Sequence, residues 1–415
     1  MNIEIAPSFL SGTVTPPASK SVAHRALIAA ALCPSPTLLQ GNLQGDDVER
    51  TADCLCALGA SIARTKDGWL VTPIGKNRVE KAQVNVGSSG STLRFMLPVC
   101  AALGTETSFV CSKRLAKRPV GSLLEELKKH GVEINGDTLP LTIKNKLCGN
   151  EFMIDASVSS QYITGLLLAL PLLGGGKIKA VGEIVSKDYL TITKGVLAAF
   201  GVMVTEENGE FVVSGQYRSP ETFSVESDWS SAGFFAVAGA KGDIVLNNVI
   251  TASTQGDKAV LAALRAAGAS VNDGRAVRIR SGDLHAFTFD VENCPDAAPI
   301  LSVLAACCEG KSVLTGTSRL KLKESDRAKE IVRLLGAFGI QATDHGDRIE
   351  IVGGKLTGCS FDLPDDHRIA MAAAIAAANA TGKTVLRGAE CVNKSYPSFF
   401  DDYGKVGGKV NVLTL

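Results

Sequence analysis

No CxxC pair occurs in the sequence, no run of Lys and Arg is long enough to follow a nucleic-acid backbone, and no apolar stretch is long enough to cross a bilayer. Each absence excludes something. Eleven cysteines are scattered without the paired spacing of a zinc site, and Cys54/Cys56 and Cys307/Cys308 lie too close together for ordinary mutual pairing. Reduced thiols are expected, as in the cytosol. A formal net charge of +1 argues against an extended polyanion as partner but leaves small anions open. The longest apolar run, Gly165 to Gly176, is interrupted by Pro171 and falls well short of the roughly 20 residues a spanning helix needs. The opening residues Met1 to Pro7 carry neither a basic n-region nor an apolar h-region. A cytoplasmic protein with no membrane or nucleic-acid partner is the expectation.

What is present is a repeat. An apolar-periodic helix, a glycine at its C-terminal end and a short strand recur around Gly59, Gly131, Gly201, Gly268 and Gly339, with a degenerate sixth copy at Phe400 to Gly404 and Val410 to Leu413. Glycine suits those points because the residue that ends a helix often takes the left-handed conformation. A period of roughly 70 residues exceeds that of solenoid repeats, so each copy reads as a small α/β subdomain. Six copies in 415 residues, 45% of them hydrophobic, suggest two domains of three.

Between these markers lie Ala-rich, nearly all-apolar helices at Thr92 to Leu103, Tyr162 to Leu173, Ser231 to Ala240, Ala297 to Cys308 and Ile369 to Ala378. A helix that is apolar all round belongs inside its domain. Polar residues precede each: Gly87 to Ser91, Ser157 to Gln161, Asp228 to Ser230, Asp296, and Asp365 to Arg368. If the helices run alike, their N-termini converge, and the free amides and dipoles there favour a multiply charged anion.

Taken singly, these motifs have bland alternatives. Lys323-Glu324-Ser325-Asp326-Arg327, ahead of a helix ending at Gly339, reads as a solvated helix start or as an anion site. Gly87 to Arg94 is a phosphate cradle or a capped turn, and without a Gly-Lys-Ser/Thr ending it is not a Walker-type loop. Asp296 fits an N-cap as well as a base, and Ser159-Ser160-Gln161 an N-cap box as well as a donor set. Arg114, Lys117 and Arg118 form a basic loop. His367 lacks a metal-spaced partner and is read as structural.

Taken together, Pro17-Ala18-Ser19-Lys20-Ser21 with Arg25, Gly90-Ser91-Thr92-Leu93-Arg94, Arg118-Pro119, Ser157 to Gln161, Lys323 to Arg327, Asp365 to Arg368 and Lys394-Ser395-Tyr396-Pro397 resemble the signatures of the 5-enolpyruvylshikimate-3-phosphate synthase family, in family order over nearly the whole chain. The resemblance implies a two-domain inside-out α/β barrel of six βαβαββ units, three per domain, with helices central, sheets outside and the domains closing like a clam. Residues 1–18 and 226–415 would form the C-terminal domain and 19–225 the N-terminal one. It also implies transfer of the enolpyruvyl group of phosphoenolpyruvate to the 5-hydroxyl of shikimate 3-phosphate, by addition and elimination through a tetrahedral intermediate. No metal or organic cofactor is implied, and a monomer is expected.

Carried over by position, the resemblance puts Lys20, Gly90, Arg118, Gln161 and Lys394 at the phosphoenolpyruvate phosphate, and Arg327 and Arg368 at its carboxylate. Ser21 and Arg25 would hold the shikimate carboxylate, and Ser159, Ser160, Gln161, Ser186, Tyr189 and Lys323 the shikimate phosphate and ring hydroxyls. Asp296 would be the base on the attacking hydroxyl and Glu324 the proton donor to the methylene carbon, with Lys20 assisting. Ser88 and Arg319 depart from residues common in the family, while Gly90 matches its glyphosate-sensitive members, so glyphosate is expected to compete with phosphoenolpyruvate. Two alternatives stay open: a transferase acting on UDP-N-acetylglucosamine, whose loop cysteine has no counterpart in Lys113 to Pro119, and a non-catalytic anion-binding protein.

Overall fold

A computed structural model describes residues 1–274 and 276–413. The chain divides into two compact units, Met1–Pro17 with Ser227–Leu415, and Ala18–Glu226. Among the described residues, six four-stranded sheets, three in each unit, account for the strands. The middle sheet of the Ala18–Glu226 unit shows the plan. Strand Lys81–Asn85, helix Gly90–Leu103, strand Glu106–Val110, helix Gly121–Lys129 and the hairpin Glu133–Asn135 with Leu141–Lys144 follow one another. The first two strands pair in parallel and the last two antiparallel. That is one βαβαββ repeat. Strands borrowed along the sequence complete other sheets: Thr222–Ser224 pairs in parallel with Thr37–Gln40, and Asn2–Ala6 lies between Thr384–Arg387 and Lys409–Leu413.

Each repeat carries one helix buried all round. In the Ala18–Glu226 unit these are Lys20–Leu32, Gly90–Leu103 and Ser160–Ala169; in the other they are Trp229–Gly239, Ala298–Ala306 and His367–Ala378. Their composition accounts for the burial, since most positions are Ala, Leu, Ile, Val, Phe or Gly and the charged residues lie near the helix starts, leaving no polar stripe along any side. The second helix of most repeats is amphipathic, as in Arg327–Ala337, where Ile331, Leu334 and Leu335 are buried and Lys329 and Arg333 are not.

Boundaries move from the sequence reading in two ways. The helix expected over Tyr162 to Leu173 is α-helical only from Ser160 to Ala169 and then tightens into a 3-10 turn, Leu170–Leu173, containing Pro171, which has no N–H for an α-helical bond. The Lys20–Leu32 helix is not among the apolar helices read from the sequence, yet it is buried from Val22 to Ala31 as fully as its counterparts. Among the described residues no helix is long and apolar enough to cross a membrane.

Helices Gly90–Leu103 and Ser160–Ala169 pack against each other because Gly165 has no side chain. A Cβ there would fall on the Arg94 carbonyl oxygen and within 2.8 Å of Pro98 Cγ. Gly165→Ala therefore forces the helices apart and should cost about 1–3 kcal/mol, the usual penalty of overpacking. The check is the urea midpoint, expected to fall; an unchanged midpoint would refute this account of the packing.

Candidate active site

In each unit the buried helices begin beside one another, and the polar residues ahead of them meet there. In the Ala18–Glu226 unit, Lys20 is the first residue of its helix, capped by Ser19, and its Nζ lies 3.1 Å from the Asp47 carboxylate. A chain of buried hydroxyls ties three helix starts together. His24 Nδ1 is 2.7 Å from Thr51 Oγ1, which is 2.7 Å from Thr92 Oγ1, and the Thr92 hydroxyl donates to Ser89 Oγ at 2.7 Å. Ser89 caps the Gly90–Leu103 helix, so the Gly87 to Arg94 stretch is a capped helix start.

Arg94 and Gln161 join that start to the next. Arg94 Nη1 donates to Gln161 Oε1 at 2.6 Å and Nη2 to the Pro119 carbonyl at 3.1 Å, while Gln161 Nε2 donates to Ser91 Oγ at 2.9 Å. Ser159 caps the helix that Ser160 and Gln161 open. Gly90 lies against two guanidinium groups: a Cβ would come within 2.8 Å of Arg118 Nη1 and 2.9 Å of Arg94 Nη1. The basic loop is a short 3-10 turn, Leu115–Lys117, anchored by buried Leu115, and it ends on Arg118.

Arg25 gathers Ser21, Tyr189 and Thr193. Its Nη1 donates to the Ser21 carbonyl at 2.6 Å, Nη2 to the Tyr189 carbonyl at 3.2 Å and Nε to Thr193 Oγ1 at 2.7 Å. Burial lowers its proton affinity, offset in part by Tyr189. Ser186, whose φ of 52° is left-handed, accepts at its carbonyl from the Tyr189 amide. Ser88 Oγ donates to Ser112 Oγ at 3.2 Å.

The other unit gathers carboxylates around Arg327, which is fully buried. Its Nε donates to Asp366 Oδ2 at 2.9 Å, Nη1 to Asp296 Oδ1 at 2.6 Å and Nη2 to Glu324 Oε2 at 2.8 Å. Asp366 also caps the His367–Ala378 helix and accepts from Ser325 Oγ at 2.8 Å. Asp296 does not cap its helix, whose N-cap is Ala297; besides Arg327 it faces Lys323 Nζ at 3.7 Å and Arg368 Nη2 at 3.6 Å.

Burial alone would raise the Asp296 proton affinity, but the charges of Arg327, Lys323 and Arg368 outweigh it and hold the carboxyl well below the usual range. Burial lowers Lys323 despite Asp296. Burial works against Arg327 too, yet Asp366, Asp296 and Glu324 together raise it well above the ordinary guanidinium value. Arg368 differs from Arg327 in one respect: its Nε and Nη1 are buried without a hydrogen-bond partner. Lys394, at the end of the 3-10 turn Ala389–Lys394, is buried, and burial lowers Arg319 against the pull of Glu292.

The expected site residues thus fall into two groups. Lys20, Ser21, Arg25, Gly90, Arg118, Ser159, Ser160, Gln161, Ser186 and Tyr189 lie in one unit, and Asp296, Lys323, Glu324, Arg327, Arg368 and Lys394 in the other. Reading the sequence gave no role to Arg94, Asp47 or Asp366. Arg94 and Asp366 stand inside quoted motifs, but nothing around Asp47 distinguishes it from other acids at helix starts. His367 is buried, with Nδ1 4.0 Å from Asp366 Oδ1, and the described residues contain no His/Cys/Asp/Glu group able to hold a metal ion.

A family model described as EPSP synthase (3-phosphoshikimate 1-carboxyvinyltransferase) matches residues 5–403. The 3-phosphoshikimate 1-carboxyvinyltransferase of Clostridium kluyveri is 35% identical over 417 residues, covering 99% of this chain and 98% of the relative. That of Thermococcus kodakarensis is 37% identical, covering 94% and 96%. Among solved structures, an EPSP synthase from Acinetobacter baumannii is similar with a TM-score of 0.84 at 28% identity, covering 99% of this chain and 100% of that one.

The Asp296 environment has a consequence for stability. A carboxyl whose folded-state pKa is depressed contributes stability that is complete above its unfolded value, about 3.9, and is lost as pH falls toward the folded value. Asp296→Asn lacks this contribution at every pH. The gap in urea midpoint between wild type and Asp296→Asn should therefore narrow as pH is lowered from about 6 to about 3, and a constant gap would contradict the assignment.

Proposed function

The chain belongs to the EPSP synthase family, whose members transfer the enolpyruvyl group of phosphoenolpyruvate to shikimate 3-phosphate, and we propose that it does so with the two residue groups described above. It is a 3-phosphoshikimate 1-carboxyvinyltransferase of the shikimate pathway. The observation that carries the assignment of roles is the Asp296–Arg327–Glu324 cluster, in which one buried guanidinium spaces two carboxylates. An addition across the enol double bond needs both a base and an acid.

In this reading Asp296 takes the proton of the 5-hydroxyl as its oxygen bonds to C2 of phosphoenolpyruvate, and Glu324 supplies a proton to C3. The tetrahedral adduct then loses a proton from C3 as the C2–O bond to phosphate breaks. Lys20, Gly90, Arg118, Gln161 and Lys394 bind the phosphate of phosphoenolpyruvate, and Lys20 assists proton transfer. Ser21 and Arg25 bind the shikimate carboxylate; Ser159, Ser160, Gln161, Ser186, Tyr189 and Lys323 bind its phosphate and hydroxyls. Arg368, with two unpaired buried donors, is the main hold on the phosphoenolpyruvate carboxylate, and Arg327 contributes charge.

This arrangement explains how so weakly basic a carboxylate can act as a base. Three cations suppress Asp296 in the free protein. A substrate carboxylate that shares Arg368 and Arg327 offsets their field and raises the basicity of Asp296 when the hydroxyl must lose its proton. A cytoplasmic monomer needing no metal or organic cofactor fits this chemistry, and glyphosate, an anion, should compete for the same cations.

Phosphate release from phosphoenolpyruvate should require shikimate 3-phosphate and should not occur with UDP-N-acetylglucosamine. Release with neither acceptor, in protein that binds both substrates, would leave an anion-binding protein and discard the chemistry. Asp296→Asn and Glu324→Gln should each lower kcat by about two to four powers of ten. Near-normal turnover in both would end the assignment of these roles.

A further inference from the structure

A fourth acid, Asp257, feels the charges of Asp296 and Arg368 and has no part in the chemistry described. Asp257 lies in the 3-10 turn Gly256–Ala259 and is only 5% exposed. Its Oδ2 accepts a hydrogen bond from Ser230 Oγ, in the first turn of the Trp229–Gly239 helix, and its Oδ1 is buried with no hydrogen-bond partner. Three charged groups face it from three packed elements: Asp228, the cap of that helix; Asp296, ahead of Ala298–Ala306; and Arg368, near the start of His367–Ala378. The neighbouring Lys258 is engaged elsewhere, donating to the carbonyls of Thr251 and Ser253. Arg368 is therefore the one cation among these groups, and it faces all three acids.

An ionised carboxylate with a bare buried oxygen is costly, whereas a neutral carboxyl is far less so. Burial, reinforced by Asp296 and opposed by Arg368, raises the proton affinity of Asp257 to about 7.

We propose that Asp257 is a positioning residue for the transfer reaction, a carboxyl that holds a proton behind Arg368 and, on losing it, weakens the grip of Arg368 on the carboxylate of phosphoenolpyruvate. The inference rests on the assignment of Arg368 to that carboxylate. While Asp257 is neutral, Arg368 is shared among Asp228, Asp296 and the substrate. Ionised Asp257 adds a negative charge that competes for the same guanidinium and repels the incoming anion. By linkage, binding of the substrate carboxylate favours the protonated form of Asp257 to the same degree.

The test is the KM for phosphoenolpyruvate, with kcat, measured from about pH 6 to about pH 8.5 in wild type, Asp257→Asn, Ser230→Ala and Arg368→Lys. The phosphate of the substrate titrates alike for all four, so the readout is the difference between profiles. Wild-type KM should rise about three- to tenfold more than that of Asp257→Asn, whose amide mimics the neutral acid, with kcat changing much less; tenfold corresponds to one unit of coupling. Ser230→Ala removes a donor that favours the ionised form, so its rise should move to higher pH. Superimposable profiles for wild type and Asp257→Asn overturn the proposal. Should Asp257→Asn fail to fold, superimposable wild-type and Ser230→Ala profiles do the same. Arg368→Lys should raise KM at every pH. If it leaves KM unchanged, the Arg368 assignment falls and this inference with it, whereas a raised KM there beside superimposed Asp257→Asn and wild-type profiles discards the role of Asp257 alone.

Discussion

Arg327 is the side chain on which the Ser227–Leu415 unit turns. It is buried completely, and its donors reach Asp366, Asp296 and Glu324, each from a different stretch of chain or from the turn preceding its own helix. An unpaired guanidinium in that position would be strongly destabilising, and the same holds for Asp366, which is fully buried. The cluster survives because every partner is anchored elsewhere: Asp366 caps a helix, and Asp296 is backed by Lys323 and Arg368. An ion network of this kind is better evidence of fixed geometry than of net stability. The geometry it fixes is that of two carboxylates, Asp296 and Glu324, held on one guanidinium, the pair to which the proposed proton transfers are assigned.

The Ala18–Glu226 unit is built on a different balance. At its helix starts Lys20 pairs with Asp47, Arg94 donates to an amide and a carbonyl, and Arg25 to carbonyls and a hydroxyl. Positive charge set beside helix N-termini suits phosphate and carboxylate groups. Glycines bring these groups close. Gly165 lets two helices touch, which allows Arg94 to reach Gln161, and Gly90 leaves room for the guanidinium groups of Arg94 and Arg118.

The sequence made the repeat plain because it was written in two signals that need no tertiary information: glycine after a helix and all-round apolar helices. Gly59, Gly131, Gly201, Gly268 and Gly339 all have positive φ, between 81° and 111°. Strand borrowing was less legible, since nothing in Thr222–Ser224 identifies Thr37–Gln40 as its partner. The motifs of the candidate site could be found in the sequence, but not the pairing within them. Asp296 reads equally as a cap or a base until Ala297 is seen to occupy the cap and Arg327 to meet the carboxylate. Asp47, Asp257 and the difference between Arg327 and Arg368 depend on which donors are already used, and that is a property of packing.

The difference between the two arginines decides how the cluster can work as well as how it is held. If Arg327 and Arg368 were both saturated by protein carboxylates, a substrate carboxylate would have to displace one of them, and the displaced acid would be left buried and unpaired. Arg368 instead keeps Nε and Nη1 unpaired while facing Asp296 at 3.6 Å. A substrate anion can then join without breaking the Arg327 network, and its charge acts directly on the field that suppresses Asp296. In the proposed reaction the substrate carboxylate thereby also raises the basicity of Asp296 toward the acceptor hydroxyl, so that binding and activation are coupled through one guanidinium.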